Sequence, residues 1–157
     1  MPKFSIEVRI KSGLNQRQSD ALATAAKRWA EIIVGDFPRV RIRKETIQAL
    51  VINARGMKID GPGTILGQSW PSHFLPNGLP AMGSMEFDKA DLAEMEQDNT
   101  LESVILHEMG HVLGIGTIWD VKGFLVDAGR ENPRFVGAAP PTRNGRSCRA
   151  CQRIDYR

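Results

Sequence analysis

Five residues, His107-Glu108-Met109-Gly110-His111, constrain this chain more than any others. They sit inside an apolar pattern, with Leu101, Val104, Ile105 and Leu106 before them and Val112 and Leu113 after, at the spacing of a helix. On a helix, residues four apart lie one above the other, so both imidazoles can reach one metal ion. Glu108 then lies about 100° round the axis from His107, placed to touch a water on that metal rather than the metal itself. The spacing therefore points to zinc, with His107 and His111 as metal ligands and Glu108 as the catalytic general base. Asn99, with Glu102 three residues on, reads as a capping box that starts the helix, and Gly114 and Gly116 read as its stop.

The rest of the chain predicts what this helix packs against. Phe4, Ile6, Val8 and Ile10 alternate with polar residues, as in a half-buried strand. Asn15 and Gln18 open a helix whose apolar stripe is Leu22, Ala25, Ala26, Trp29, Ile32 and Ile33, ending near Gly35 and Pro38. Residues 50–54 read as a more deeply buried strand, residues 64–68 as a short edge strand after the turn Asp60-Gly61-Pro62-Gly63, and residues 84–87 as another. Residues 71–80 read as a loop, and Asp88 with Asp91 as the cap of a helical turn reaching Met95. The fold class expected is α/β (α+β): a small twisted mixed sheet with two main helices, the second carrying the zinc motif.

At 157 residues with 41% hydrophobic and 25% charged content, one domain with its own core is expected. The net charge of +3 is not spread evenly. Arg143, Arg146, Arg149, Arg153 and Arg157 oppose only Asp155, so residues 142–157 carry +4 and the preceding 141 residues carry −1. The domain organisation expected is thus residues 1–141 as a zincin-like catalytic N-terminal subdomain and residues 142–157 as a basic, disordered tail. With the basicity confined to that tail, no specific nucleic-acid partner is expected. No stretch reaches 18 apolar residues, so no membrane span is expected, and the N-terminus lacks the apolar region of a signal peptide. Cys148 and Cys151 form a lone C-x-x-C, half of a structural zinc site, and read as incidental or readily oxidised.

The motif helix running on into Gly114-Ile115-Gly116-Thr117-Ile118-Trp119 resembles the leishmanolysin-like branch of the metzincin zinc endopeptidases. Ala25-Ala26-Lys27-Arg28-Trp29, Asp60-Gly61-Pro62-Gly63 through Leu66-Gly67-Gln68, Leu79-Pro80, Met85-Glu86-Phe87-Asp88 and Asn132-Pro133-Arg134-Phe135-Val136-Gly137-Ala138 extend the resemblance over residues 3–139. It implies a metzincin-like N-terminal subdomain, a secreted or cell-surface setting, and a peptide or protein substrate laid along the 64–68 edge. The activity implied is a zinc-dependent metalloendopeptidase that hydrolyses peptide bonds through a zinc-activated water, with Glu108 as general base.

Two departures set the alternative. Most metzincins carry a third histidine six residues after the second, where this chain has Thr117; the leishmanolysin-like branch places it after an insertion. Here the only histidines are His73, His107 and His111, and the last methionine is Met109, so the methionine turn of the family is missing too. His73, Asp120, Asp127 and Glu131 are the candidates for a third ligand, with Cys148 and Cys151 as soft ligands in principle. The alternative is a catalytically incomplete remnant of such a protease, truncated or frameshifted, that binds zinc weakly or not at all. Oligomeric state and cleavage preference leave no mark in the sequence.

Overall fold

Alternation at the start of the chain forms β1 (Ile6–Ser12), and the Asn15–Gln18 capping box turns the chain into α1 (Gln16–Ile32). Both reciprocal cap hydrogen bonds are present, each 2.9 Å long. The computed structural model describes residues 4–127 and 129–136. The chain divides into two compact units, Met1–Gly114 and Ile115–Arg157.

In the first unit, α1 is followed by β2 (Val40–Ile42), β3 (Glu45–Ile47), β4 (Leu50–Met57), β5 (Gly67–Phe74), β6 (Pro80–Asp88), α2 (Lys89–Gln97) and α3 (Leu101–Val112). Four strands make a mixed sheet in the order β1-β4-β6-β5. β1 and β6 run parallel to β4, and β5 closes the edge antiparallel to β6. Alternate residues of a strand share a face, so Leu50, Ile52 and Ala54 of β4 line up with Ala81, Met85 and Phe87 of β6. These join Leu22, Ala25 and Ala26 of α1 and Ile105, Met109 and Val112 of α3 in one core. Full burial of a side chain such as Ile52, Phe87 or Ile105 is worth roughly 1.5–3 kcal/mol each relative to exposure. On the opposite face Glu86 of β6 accepts from Arg55 of β4 and from Gln68 of β5, the latter at 2.7 Å.

Gly83 decides how closely helix and sheet approach. A Cβ there would lie 2.4 Å from Cγ1 of Val112 and 2.7 Å from the Trp70 carbonyl oxygen, so only glycine lets α3 seat this deeply.

The mixed sheet and the motif helix match expectation; several details differ. Three helices are present rather than two, because the turn expected after Asp88 runs nine residues as α2, with Asp88 as its N-cap. The edge strand is Gly67–Phe74 rather than 64–68, and Pro71 and His73, expected in a loop, lie on it. Proline is tolerated on an edge strand, where its missing N–H costs no ladder bond. The β2–β3 hairpin has no counterpart among the elements expected from the residue pattern. The N-cap of α3 is Thr100, not Asn99; Asn99 sits in the left-handed region (φ 56°), and Thr100 makes no side-chain cap bond. Ile32, expected on the buried stripe of α1, is 60% exposed at the helix end.

The second unit contains β7 (Leu125–Val126) paired antiparallel with β8 (Arg134–Phe135). Phe135 packs against Trp119 and Phe124, with ring centroids 4.3 and 6.0 Å away. Residues 142–157, with Cys148 and Cys151, lie outside the described residues. Among the described residues, no helix is long and apolar enough to cross a membrane.

Candidate metal centre

Two side chains from different elements grip α3 near the motif. Trp29 of α1 donates its indole N–H to the Leu106 carbonyl at 3.1 Å, one residue before His107. Ser69 of β5 lies 2.7 Å from the carbonyl oxygen of Glu108. The helix ends as the glycine stop requires: Gly114 has φ 101° and donates its N–H to the His111 carbonyl at 3.1 Å. A residue with a Cβ is strained in that conformation.

On this mount the two imidazoles converge. Nε2 of His107 and Nε2 of His111 are 3.0 Å apart, with the rings edge-to-face at 87° and their centroids 4.6 Å apart. Two nitrogens each about 2.0–2.1 Å from a tetrahedral zinc ion lie about 3.3 Å from one another. The pair therefore fits zinc after an opening of a few tenths of an ångström. A carboxylate oxygen of Glu108 completes the group, with the three ligand atoms within 4.8 Å of one another. Exposure is graded across it: His107 is exposed, His111 half-buried and Glu108 buried. A pair of imidazole nitrogens suits zinc better than calcium or magnesium, which take oxygen ligands.

Glu108 is held asymmetrically. Its Oε2 accepts from the Ser69 hydroxyl at 2.6 Å, while Oε1 takes no protein hydrogen bond among the described residues. Beside it a groove of about 490 Å³ runs between residues 64–67 and Ser103, Val104, His107 and Glu108. Ile65 and Leu66 are 39% and 36% exposed along this groove.

Residues 59–63, which lead into the groove wall, are anchored by two aspartates. Oδ2 of Asp88 accepts the N–H groups of Ile59, Asp60 and Gly61 at 2.8–2.9 Å, and Oδ1 accepts that of Ala90 at 2.8 Å. Hydrogen bonds from Ala90 and Gly61, with those from Ile59 and Asp60, outweigh burial and hold this carboxyl down at about 2. Oδ1 of Asp91 accepts the Gly63 N–H at 2.7 Å.

The other candidate ligands do not join the cluster in this unit. His73 lies half-buried on β5, paired opposite Met82, with Nδ1 3.1 Å from the Ser72 hydroxyl. Asp120, Asp127 and Glu131 belong to the second unit, where Asp127 faces Arg130 at 3.5 Å and Arg134 at 3.7 Å. The roles of Ser69, Trp29, Gly83 and the Asp88–Asp91 anchor are not visible in the sequence. Each acts through a contact remote in sequence, and only the Asp60-Gly61-Pro62-Gly63 turn, whose N–H groups need acceptors, hints at one of them.

A helix-borne His-Glu-His cluster beside an edge strand is the arrangement of a zinc peptidase domain. The Matrixin peptidase family matches residues 3–128, and the chain belongs to that family. No curated protein matches it. Within the family this chain carries an incomplete metal-binding triad, with two histidines in the motif and Thr117 six residues further on.

Proposed function

We propose that this chain is a catalytically incomplete metallopeptidase of the metzincin type, holding zinc weakly through His107 and His111 with Glu108 in the place of the general base. One observation carries the reading. Two imidazoles and one carboxylate converge, and within the first unit no further His, Cys, Asp or Glu groups with them among the described residues. Catalytic zinc keeps three protein ligands and an open position, so a two-histidine site loses much of the binding free energy. Thr117 stands where most metzincins place the third histidine, and no histidine follows His111 to take its place after an insertion, as the leishmanolysin-like branch requires.

The chain's own groups still set out a peptidase half-site. Zinc, when bound, supplies Lewis-acid polarisation of a peptide carbonyl and acidifies water. Glu108 has one oxygen tied and the other open, which suits it to take a proton and return it to the leaving amine. The β5 edge offers main-chain hydrogen bonds to an extended peptide, whose side chains would reach the groove of residues 64–67. These same features favour a second reading, a complete zinc endopeptidase.

Zinc titration calorimetry and peptide hydrolysis separate the two. The expected result is one zinc per chain, an affinity at least about a hundredfold lower in His107→Ala, and no turnover above that of Glu108→Ala. Robust hydrolysis abolished by Glu108→Ala refutes incompleteness and establishes the second reading. Failure to bind zinc at all refutes the two-histidine site.

A further inference from the structure

Ser69 has one hydroxyl proton and two acceptors, both belonging to Glu108: the main-chain oxygen at 2.7 Å and Oε2 at 2.6 Å. The contact joins the edge strand of the sheet to the middle of α3. Ser69 lies on the half-buried side of β5, in register with Met85, whereas Gln68 and Trp70 on either side of it are exposed. The orientation is thus fixed by the pleat and by the burial of Met85, not by a mobile surface rotamer. A serine is not needed there for packing, since the strand would hold its register with any small residue.

We infer that Ser69 is a positioning residue, which clamps Oε2 of Glu108 so that Oε1 alone is presented to a reacting water beside the histidines. The inference rests on the reading of Glu108 as general base. A carboxylate on a three-torsion side chain has several rotamers, and a base works only when its oxygen is held within hydrogen-bond reach of the proton it takes. The Ser69 bond selects one rotamer by occupying one oxygen. It also ties that rotamer to the strand on which a peptide would lie, so a peptide backbone and the base are located by the same residue. The Glu108 carbonyl oxygen, sharing the same proton, keeps the hydroxyl close to the helix backbone as well as to the side chain.

The test uses the full chain, first without metal. The Glu108 carboxyl carbon is identified by NMR of ¹³C-glutamate-labelled protein as the signal lost in Glu108→Gln. At neutral pH, Ser69→Ala is expected to displace that signal, and Ser69→Thr, which keeps the hydroxyl, to restore it. A double-mutant cycle between Ser69→Ala and Glu108→Ala, which removes the acceptor altogether, is expected to give a coupling of about tenfold in the unfolding equilibrium. Zinc affinity should stay within about threefold of the parent in Ser69→Ala, because the hydroxyl touches neither imidazole. If the parent hydrolyses peptides, Ser69→Ala should lower kcat by about tenfold with KM unchanged. An unmoved carboxyl signal, a coupling under about twofold, or Ser69→Thr behaving as Ser69→Ala overturns the inference. A parent chain that takes no zinc overturns the metal site instead, and the metal-free coupling then decides the role of Ser69 by itself.

Discussion

Two carboxylates of the first unit are treated in opposite ways. Asp88 is saturated: four backbone N–H groups fill both its oxygens, and it is 1% exposed. Glu108 is also buried, yet one of its oxygens has a single hydroxyl partner and the other has none among the described residues. A fully bonded carboxylate is a poor base and a good anchor, because protonating it or moving it breaks several hydrogen bonds at once. A half-bonded one is held in place and keeps a lone pair for chemistry. The difference separates the residue that shapes the groove wall from the residue that faces the histidines.

Swapping each carboxylate for its amide breaks the comparison most severely. Asp88→Asn turns one acceptor oxygen into a donor facing backbone N–H groups, and is expected to lower the melting temperature by more than about 5 °C. Glu108→Gln, which can still accept from Ser69 through its carbonyl oxygen, should stay within about 2 °C of the parent. Near-equal losses would erase the distinction between the anchor and the proposed base. The pH dependence sharpens it. The Asp88 carboxyl drops from an ordinary 3.8 to about 2 in the folded chain, so its contribution is present above about pH 4 and is lost as pH falls through about 2. Denaturant titrations between pH 5 and 2 should show a decline in the parent that is smaller in Asp88→Asn.

The next effect concerns the mount shared by both regions. β6 carries Asp88 at its end and Gly83 in its middle, where the sheet meets Val112 of α3. Gly83→Ala should cost about 1–3 kcal/mol by forcing the helix off the sheet, and should weaken zinc binding by tilting the histidines. A variant of unchanged stability would mean that Val112 moves aside and that the close approach is not required.

What the sequence discloses, and what it withholds, follows the same division between local and remote contacts. The Asn15–Gln18 box, the Gly114 stop and the i, i+4 histidines are local, and each appears in the structure at the expected residues. The edge strand is displaced from its expected place because Pro71 has the look of a breaker, although an edge strand accommodates it. The β2–β3 hairpin is hidden because its strands are three residues long and its turn places Arg43, rather than glycine or asparagine, at φ 55°. Asn99 resembles a cap by residue type, but it sits at positive φ one residue too early, in the tight link from α2 to α3. The role of Asp88 depends on residues 59–61 and that of Ser69 on Glu108, so neither shows in a window of neighbours. The His-Glu-His spacing is therefore legible in the sequence, and the contacts that surround it are not.

The smallest effect expected is the one that tests whether the influence of those contacts is spread around the helix. Trp29 supports α3 from α1 rather than from the edge strand, through a single N–H bond to the Leu106 carbonyl. Trp29→Phe keeps most of the aromatic surface and removes the donor, so the loss should be about 1 kcal/mol, the net worth of one hydrogen bond plus some packing. The Leu106 carbonyl keeps its helical partner, which argues against a larger penalty. If the histidine pair is set by α3 itself, zinc affinity in Trp29→Phe should match the parent while stability falls. If instead zinc affinity falls further than stability, the indole locates His107 directly, and the line drawn between structural anchors and site residues has to include α1.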